Sequence, residues 1–279
     1  MSDGVLYVVA TPIGNLGDLT LRAIETLKTA SRIAAEDTRR TKTLLSHLGI
    51  VGKPVDALHA HSGPRDIARM LEALENGESV ALVTDAGTPI VSDPGDVLVQ
   101  RALAAGIKVV PIPGPSAVLA ALVASGLGGA GFRFLGFLPR EGTARREAIG
   151  VACSTPETVV LFESPERTTA TLKDLADATP DRPAAVCREL TKLHEEVVRG
   201  TIATLSEQES WRGEVVLVLG PWEPSSREET IDDASIDARI DQELAAGLHA
   251  KTTAEKIAAW SGRPKREIYE RVIARKHRD

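Results

Sequence analysis

The sequence predicts an α/β chain, an open and mostly parallel sheet covered by helices, followed by a small helical extension. Three observations carry this. Over roughly the first 220 residues, short β-branched runs alternate with helical periods of about 10 to 13 residues. Aromatic residues make up only 3% of a chain that is 43% hydrophobic, so its cores are built from Ala, Val, Leu and Ile. That composition suits strands buried on both faces. Beyond this region the strand pattern stops, and a stretch rich in Pro, Ser and acids leads into helical periods alone.

The elements follow in order. Apolar runs at 6–10, 79–84, 108–112, 158–162 and 215–219 are bounded by Gly, Pro or Asp and read as buried strands, with a shorter one at 32–35. Helical periods lie at 19–30, 39–48, 66–75, 95–105, 116–125, 145–152 and 166–178. Runs at 132–138 and 197–202 are shorter or more amphipathic, which points to a mixed sheet in the second half. Pro113-Gly114-Pro115 breaks any regular element, so the chain divides into residues 1–113, 114–222, a linker at 223–235 and an extension at 236–279. Helical periods in the extension fall at 236–246, 253–261 and 265–276. Thr252 with Glu255 makes a capping box before the second. Gly262 ends it, and Pro264 opens the third, giving a helix-turn-helix pattern.

Composition narrows the function classes. No run approaches the roughly 18 apolar residues of a membrane span, and the N-terminus lacks the basic region of a signal peptide; a cytoplasmic protein is expected. Cys153 and Cys187 stand apart without ligand spacing, and read as small buried residues in a reducing compartment. The net charge of −6 is uneven: residues 251–279 hold nine basic and four acidic residues. Lys265, Arg266 and Arg271 load the last helix, the footprint of phosphate-backbone contact, although such a face is equally often only solvated.

Gly126, Gly128 and Gly131 match a dinucleotide-type G-x-G-x-x-G, but a helix precedes and a strand follows. The fingerprint needs the reverse, and the match is rejected; no Walker A motif exists. Three other loops are more informative, because each follows a strand at the end where open α/β sheets bind ligands. Thr11-Pro12-Ile13-Gly14-Asn15-Leu16-Gly17-Asp18 turns sharply, although Asp18 or Thr20 serves equally as a helix cap. Thr84-Asp85-Ala86-Gly87-Thr88-Pro89 opens a loop of about ten residues, through Ser92-Asp93-Pro94-Gly95, where two to six suffice. Asp85 can accept from ribose hydroxyls or attract a sulfonium, and Gly87 permits close backbone approach. Pro113-Gly114-Pro115-Ser116-Ala117 opens a helix whose free N–H groups can hold a carboxylate or an adenine edge, with Ser116 as a plain N-cap the alternative.

Together with AAEDTRRTKTLLSHLGI, FLGFLP, LFESPERT and RELTKLHEE, these loops resemble the ribosomal RNA small-subunit methyltransferase I family, within the tetrapyrrole-methylase-like enzymes. The likeness runs over about residues 5–220, and the basic tail resembles the helix-turn-helix of many members. The resemblance implies a two-domain fold with a parallel N-terminal sheet, a mixed C-terminal sheet and a donor cleft between them. It implies S-adenosylmethionine as donor, no metal, and 2′-O-methylation of a cytidine in the decoding region of 16S rRNA. The partner is 16S rRNA or the small ribosomal subunit, and the state a homodimer. Two departures stand out. Thr84-Asp85-Ala86 replaces the Gly-Asp-Pro of the tetrapyrrole methylases, and His59-Ala60-His61-Ser62-Gly63 replaces a His-Asn-Glu pattern.

By the same resemblance Pro12, Asp85, Gly87, Thr88, Ser116 and Ala117 surround the donor, with Phe162 and Leu190 on the far wall. For the acceptor, Asp37 is a candidate base and also a candidate helix cap, while Arg39 and Arg40 can hold phosphates. Lys192 is the second catalytic candidate, through a lowered pKa or by stabilising an alkoxide. Glu163 and Arg167 can contact substrate or form a structural ion pair. His59, His61 and His194 are possible proton acceptors, with no third or fourth ligand for a metal. Competing functions are a tetrapyrrole or protein acceptor on the same fold, and a non-catalytic RNA- or ribosome-binding module.

Overall fold

A computed structural model of the protein describes residues 4–59, 62–90, 95–222, 233–245, 248–261 and 263–276. The described residues up to Trp222 form one compact unit and those from Asp233 onward a second. The first unit contains two five-stranded sheets.

The first sheet uses β1 (Val5–Val9), β2 (Arg32–Ala35), β3 (Val55–Ala57), β4 (Ser79–Val83) and β5 (Lys108–Ile112) in the order β3-β2-β4-β1-β5. Every pairing is parallel. Successive side chains leave a strand on opposite faces, so the sheet feeds two cores. On one face Val9, Ile33 and Ala81 pack with Ala23 and Leu27 of α1 (Leu21–Thr29) and Leu45 of α2 (Thr38–His47). On the other, Leu6, Val80 and Leu82 pack with Met70 and Leu74 of α3 (Pro64–Glu75) and Leu98 of α4 (Asp96–Ala104). Burial on both faces is why the inner strands β1, β2 and β4 are largely apolar without alternation, whereas β5, expected to be buried, is an edge strand with Lys108 and Pro111 exposed.

The second sheet is mixed. Its strands are β6 (Phe132–Phe137), β7 (Thr158–Glu163), β8 (Pro183–Arg188), β9 (Glu196–Thr201) and β10 (Val215–Leu219), in the order β6-β7-β10-β8-β9. Only β6 and β7 are parallel; the other neighbours run antiparallel. Leu172 and Leu175 of α7 (Pro165–Ala176), Ala152 of α6 (Gly142–Ser154) and Ile202 of α8 (Ile202–Ser206) cover one face. Val118 and Ala121 of α5 (Ala117–Ser125) cover the other, together with Ile13 from the loop after β1. Gly126 ends α5 in the left-handed region at φ 72°, a helix stop rather than a phosphate turn.

The second unit joins α9 (Asp233–Ala245), α10 (Ala250–Ser261) and α11 (Lys265–Lys276) around Ile236, Ile240, Ile257, Ile268 and Val272. The expected capping box fails, because α10 begins at Ala250 and Thr252 lies inside it, with Thr253 N donating to His249 O at 3.0 Å. Most of the expected linker (residues 223–232), Gly262, and the expected turn at Ser92, Asp93 and Pro94 lie outside the described residues. Both cysteines are free and buried, and burial raises the Cys187 thiol to about 11. Among the described residues no helix is long and apolar enough to cross a membrane.

Candidate active site

A parallel sheet sends all its carboxyl ends to one edge. There the loops after β5, β1, β4 and β2 meet, knitted together by their own hydrogen bonds. Thr11 and Gly87 exchange backbone bonds at 2.8 and 3.0 Å, and Thr11 Oγ1 donates to Thr84 O at 3.1 Å. Thr88 Oγ1 donates to Pro115 O at 3.2 Å, tying the β4 loop to the β5 loop. Gly87 sits at φ 83°, where a side chain would be strained and its Cβ would touch Ile13 Cγ2.

These loops form one wall of a cleft of about 460 Å³, and the second sheet forms the other. Asp85, Gly87, Thr88, Ser116, Ala117, Phe162 and Glu163 line it, as do Ile13, Glu36, Phe137 and Glu214. Phe162 meets Phe134 edge-on at 4.9 Å and Phe137 at 5.5 Å, making an aromatic surface. Pro12 and Leu190 are not among the lining residues: Ile13 takes the place expected for Pro12, and Leu190 is buried in the core behind the wall.

The charged groups divide into engaged and available. Burial raises the Asp85 carboxyl above the ordinary aspartate value, against a hydrogen bond from Asp37 N, and the neighbouring Glu36 adds to the rise. Asp85 also pairs with Arg40 at 3.3 Å. Glu36 Oε2 accepts from Thr84 Oγ1 at 2.7 Å and from Asp85 N at 3.3 Å. Asp37 is the N-cap of α2, accepting from Arg39 N at 2.8 Å. Bonds from the Arg39 side chain and backbone hold its pKa below the usual aspartate value, and Arg39 itself is largely exposed. A carboxylate already stabilised as an anion is a weak base, so the capping role describes Asp37 better than the catalytic one.

Lys192 departs from expectation in a different way. Its ammonium lies 2.8 Å from Glu189 and 3.1 Å from Glu214. Partial burial pulls its pKa down, but the hydrogen bonds to Glu189 and Glu214 outweigh this and hold it above the usual lysine value. A neutral lysine base is therefore disfavoured and a fixed positive charge favoured. Glu163 is buried and already satisfied, by Thr171 at 2.7 Å, Ser164 N at 2.9 Å and Arg167 at 3.3 Å. Arg167 also donates to Leu138 O and Pro139 O, so the pair is structural rather than substrate-facing. Ser62 accepts from His59 N and Gly63 starts α3, which gives that segment a helix-starting role; His61 lies outside the described residues.

In the second unit the basic helix is met by an acidic one. Arg271 pairs with Asp233 and Asp237, and Arg275 with Asp237 and Asp241. Arg271, expected at a phosphate, is thus bound within its own unit. Arg266 is almost fully exposed beside Glu270, and Lys265 pairs with Glu255.

A cleft at the carboxyl edge of a parallel sheet, roofed by a mixed sheet, defines the class. The Tetrapyrrole (Corrin/Porphyrin) Methylases model matches residues 5–206. Solved structures with this architecture include diphthine synthase (TM-score 0.61, 19% identity, covering 78% of this chain and 90% of that one). Uroporphyrin-III C-methyltransferase from Thermus thermophilus, complexed with S-adenosylhomocysteine, matches with a TM-score of 0.55 and 21% identity over 78% of this chain and 97% of that one. Among curated proteins, ribosomal RNA small subunit methyltransferase I of Halalkalibacterium halodurans is 44% identical over 95% of this chain and 93% of its own length. The Pseudomonas aeruginosa protein of the same name is 39% identical over 99% of each. The chain belongs to the ribosomal RNA small subunit methyltransferase I family, within the tetrapyrrole methylases.

Proposed function

We propose that this protein transfers a methyl group from S-adenosylmethionine to ribosomal RNA, at the 2′-oxygen of a cytidine in the decoding region of 16S rRNA. The observation that carries this reading is the cleft itself, because its walls match the donor's three chemistries. Asp85 supplies negative charge for a sulfonium or for ribose hydroxyls. The free N–H groups at the start of α5, next to Ser116 and Ala117, suit a carboxylate or an adenine edge. Phe137 and Phe162 offer an apolar face for the adenine ring. When bound, the donor supplies an electrophilic methyl carbon. The protein's part is to align the acceptor oxygen with that carbon, exclude water and manage the hydroxyl proton. Lys192, held charged by two glutamates, stabilises negative charge developing on the acceptor or its phosphate.

Arg39, Arg40, Lys265 and Arg266 serve the RNA phosphates, while Arg271 is reassigned to holding its own helices together. An rRNA acceptor places the activity in the cytoplasm. A homodimer is supported by α5, whose sequence is apolar on every side while Leu119 and Val123 are exposed; a helix apolar all round belongs in an interior. The test combines calorimetry with S-adenosylmethionine and ribose-methylation mapping in a strain lacking the protein. Restoration by the wild type but not by Asp85→Ala is expected; a protein that binds no donor sinks the reading.

A further inference from the structure

We propose that Glu36 is the proton acceptor in methyl transfer, an inference that rests on reading the cleft as the donor site. Among the described residues four carboxylates line the cleft: Glu36, Asp85, Glu163 and Glu214. Three face a cation, Asp85 with Arg40 at 3.3 Å, Glu163 with Arg167 at 3.3 Å and Glu214 with Lys192 at 3.1 Å. Glu36 alone has no ion pair among the described residues. Its Oε2 is fixed by Thr84 Oγ1 and Asp85 N, while Oε1 has no hydrogen-bond donor among the described residues. A carboxylate oriented by neutral donors on one oxygen, with the other left for a ligand, is built to take a proton.

Topology places it at the acceptor end. Strand order sets the loops side by side as β5, β1, β4 and β2, with neighbouring strands about 4.8 Å apart. Ser116 and Asp85, which hold the donor in the reading above, come from the first and third, and Ile13 lines the cleft from the second. Glu36 follows β2 directly, one strand further along, beside Asp85, which itself pairs with Arg40, a group suited to a phosphate. A donor lying across three loops leaves the fourth to the group it reacts with.

The step balances. An acceptor oxygen lone pair forms the O–C bond to the methyl carbon as the C–S bond breaks, and that bonding pair stays on sulfur as a neutral thioether. Glu36 takes the hydroxyl proton and later releases it to solvent. No metal or redox partner is required.

The test uses the full-length protein as wild type, Glu36→Gln and Glu36→Asp. Calorimetry reads S-adenosylmethionine affinity, filter binding reads RNA affinity, and a single-turnover assay reads labelled methyl transfer to small-subunit rRNA. Glu36→Gln, whose amide oxygen still accepts from Thr84 and Asp85, should bind donor and RNA within about twofold of wild type. Its transfer rate should fall by about 100-fold or more, with Glu36→Asp in between. A smaller fall overturns the assignment, as does a rate loss matched by lost donor affinity, which would make Glu36 a donor-holding group. A wild type that binds no donor overturns the functional reading and this inference together. Wild-type transfer with an undiminished Glu36→Gln variant overturns this inference alone.

Discussion

At the scale of single residues, a missing side chain just outside the cleft lining fixes Lys192, whose ammonium reaches the lining residue Glu214. Gly14, in the turn after β1, lies against Lys192: a Cβ there would run into Lys192 Cγ and stand 3.0 Å from both Cε and the Thr191 hydroxyl. Thr191 Oγ1 is buried without a hydrogen-bond partner among the described residues, and Glu189 and Thr191 both hold positive φ, at 50° and 68°. Unfavourable backbone of this kind persists only where its surroundings enforce it. The strained turn thus fixes the lysine stem against a glycine while Glu189 and Glu214 fix its head. Gly14→Ala should therefore lower the melting temperature by a few degrees, because the pinned lysine stem must shift, and lower the methyl-transfer rate by about 10- to 100-fold, since small misplacements of positioned groups are costly. Steady-state kinetics beside a thermal melt checks this, and wild-type turnover in the variant would show that Lys192 is not positioned through Gly14. Little of it was legible beforehand. The turn stood out by its Pro and Gly content, and Lys192 by its charge, but their contact joins positions far apart in sequence. Glu36 escaped notice for a similar reason. In Glu-Asp-Thr-Arg the capping pattern draws attention to Asp37, and only the fold brings Thr84 and Asp85 onto Glu36.

At the scale of elements, legibility followed burial. β1, β4, β7 and β10 announce themselves because strands covered on both faces must be apolar and are mostly β-branched here, while β5, at the sheet edge with Lys108 and Pro111 exposed, shows through Val109, Val110 and Ile112. β3 has three residues at the sheet edge, and β8 opens on proline and two alanines, so neither produces a periodic signal. α8 is too short to show one. Helix α5 is the informative exception, being legible as a helix but not as a surface. Its inner side packs Val118 and Ala121 on the second sheet, while Val123 on the outer side is 82% exposed and Leu119 53% exposed. An apolar outer face on an otherwise ordinary surface favours cover by a second copy. Val123→Glu would put a charge into that contact, and light scattering should show the dimer giving way to monomer with the secondary structure intact. An unchanged mass for Val123→Glu, or a monomeric wild type, would remove α5 from the dimer contact.

At the scale of the whole molecule, the separation of charge along the sequence is undone by folding. The acidic stretch around α9 and the basic α11 fall in one three-helix unit, and Asp233, Asp237 and Asp241 face Arg263, Arg271 and Arg275. Charge counted along the chain therefore overstates the basic surface available to RNA. The same ladder makes this unit sensitive to acid. The Arg275 hydrogen bond holds Asp241 below the ordinary aspartate value, and Lys265 does the same for Glu255. A carboxylate whose folded pKa is depressed contributes stability above its unfolded value, and loses it as pH falls through the folded one. The contribution should thus be complete at neutral pH and fade below about pH 4, near the unfolded carboxylate values. Among the described residues, the six-residue apolar core of this unit leaves little to compensate, whereas the first unit has four clusters of its own. Hydrogen-exchange protection factors, corrected for the intrinsic rate, should collapse over 233–276 between about pH 5 and pH 3 while those over β1, β4 and β10 persist. Roughly 1 M salt at neutral pH should reduce protection in the same segment more mildly, because exposed pairs are screened. Protection of 233–276 that survives pH 3 would show that the apolar core alone holds the three helices, and would return Arg271 and Arg275 to the pool of cations free to meet RNA.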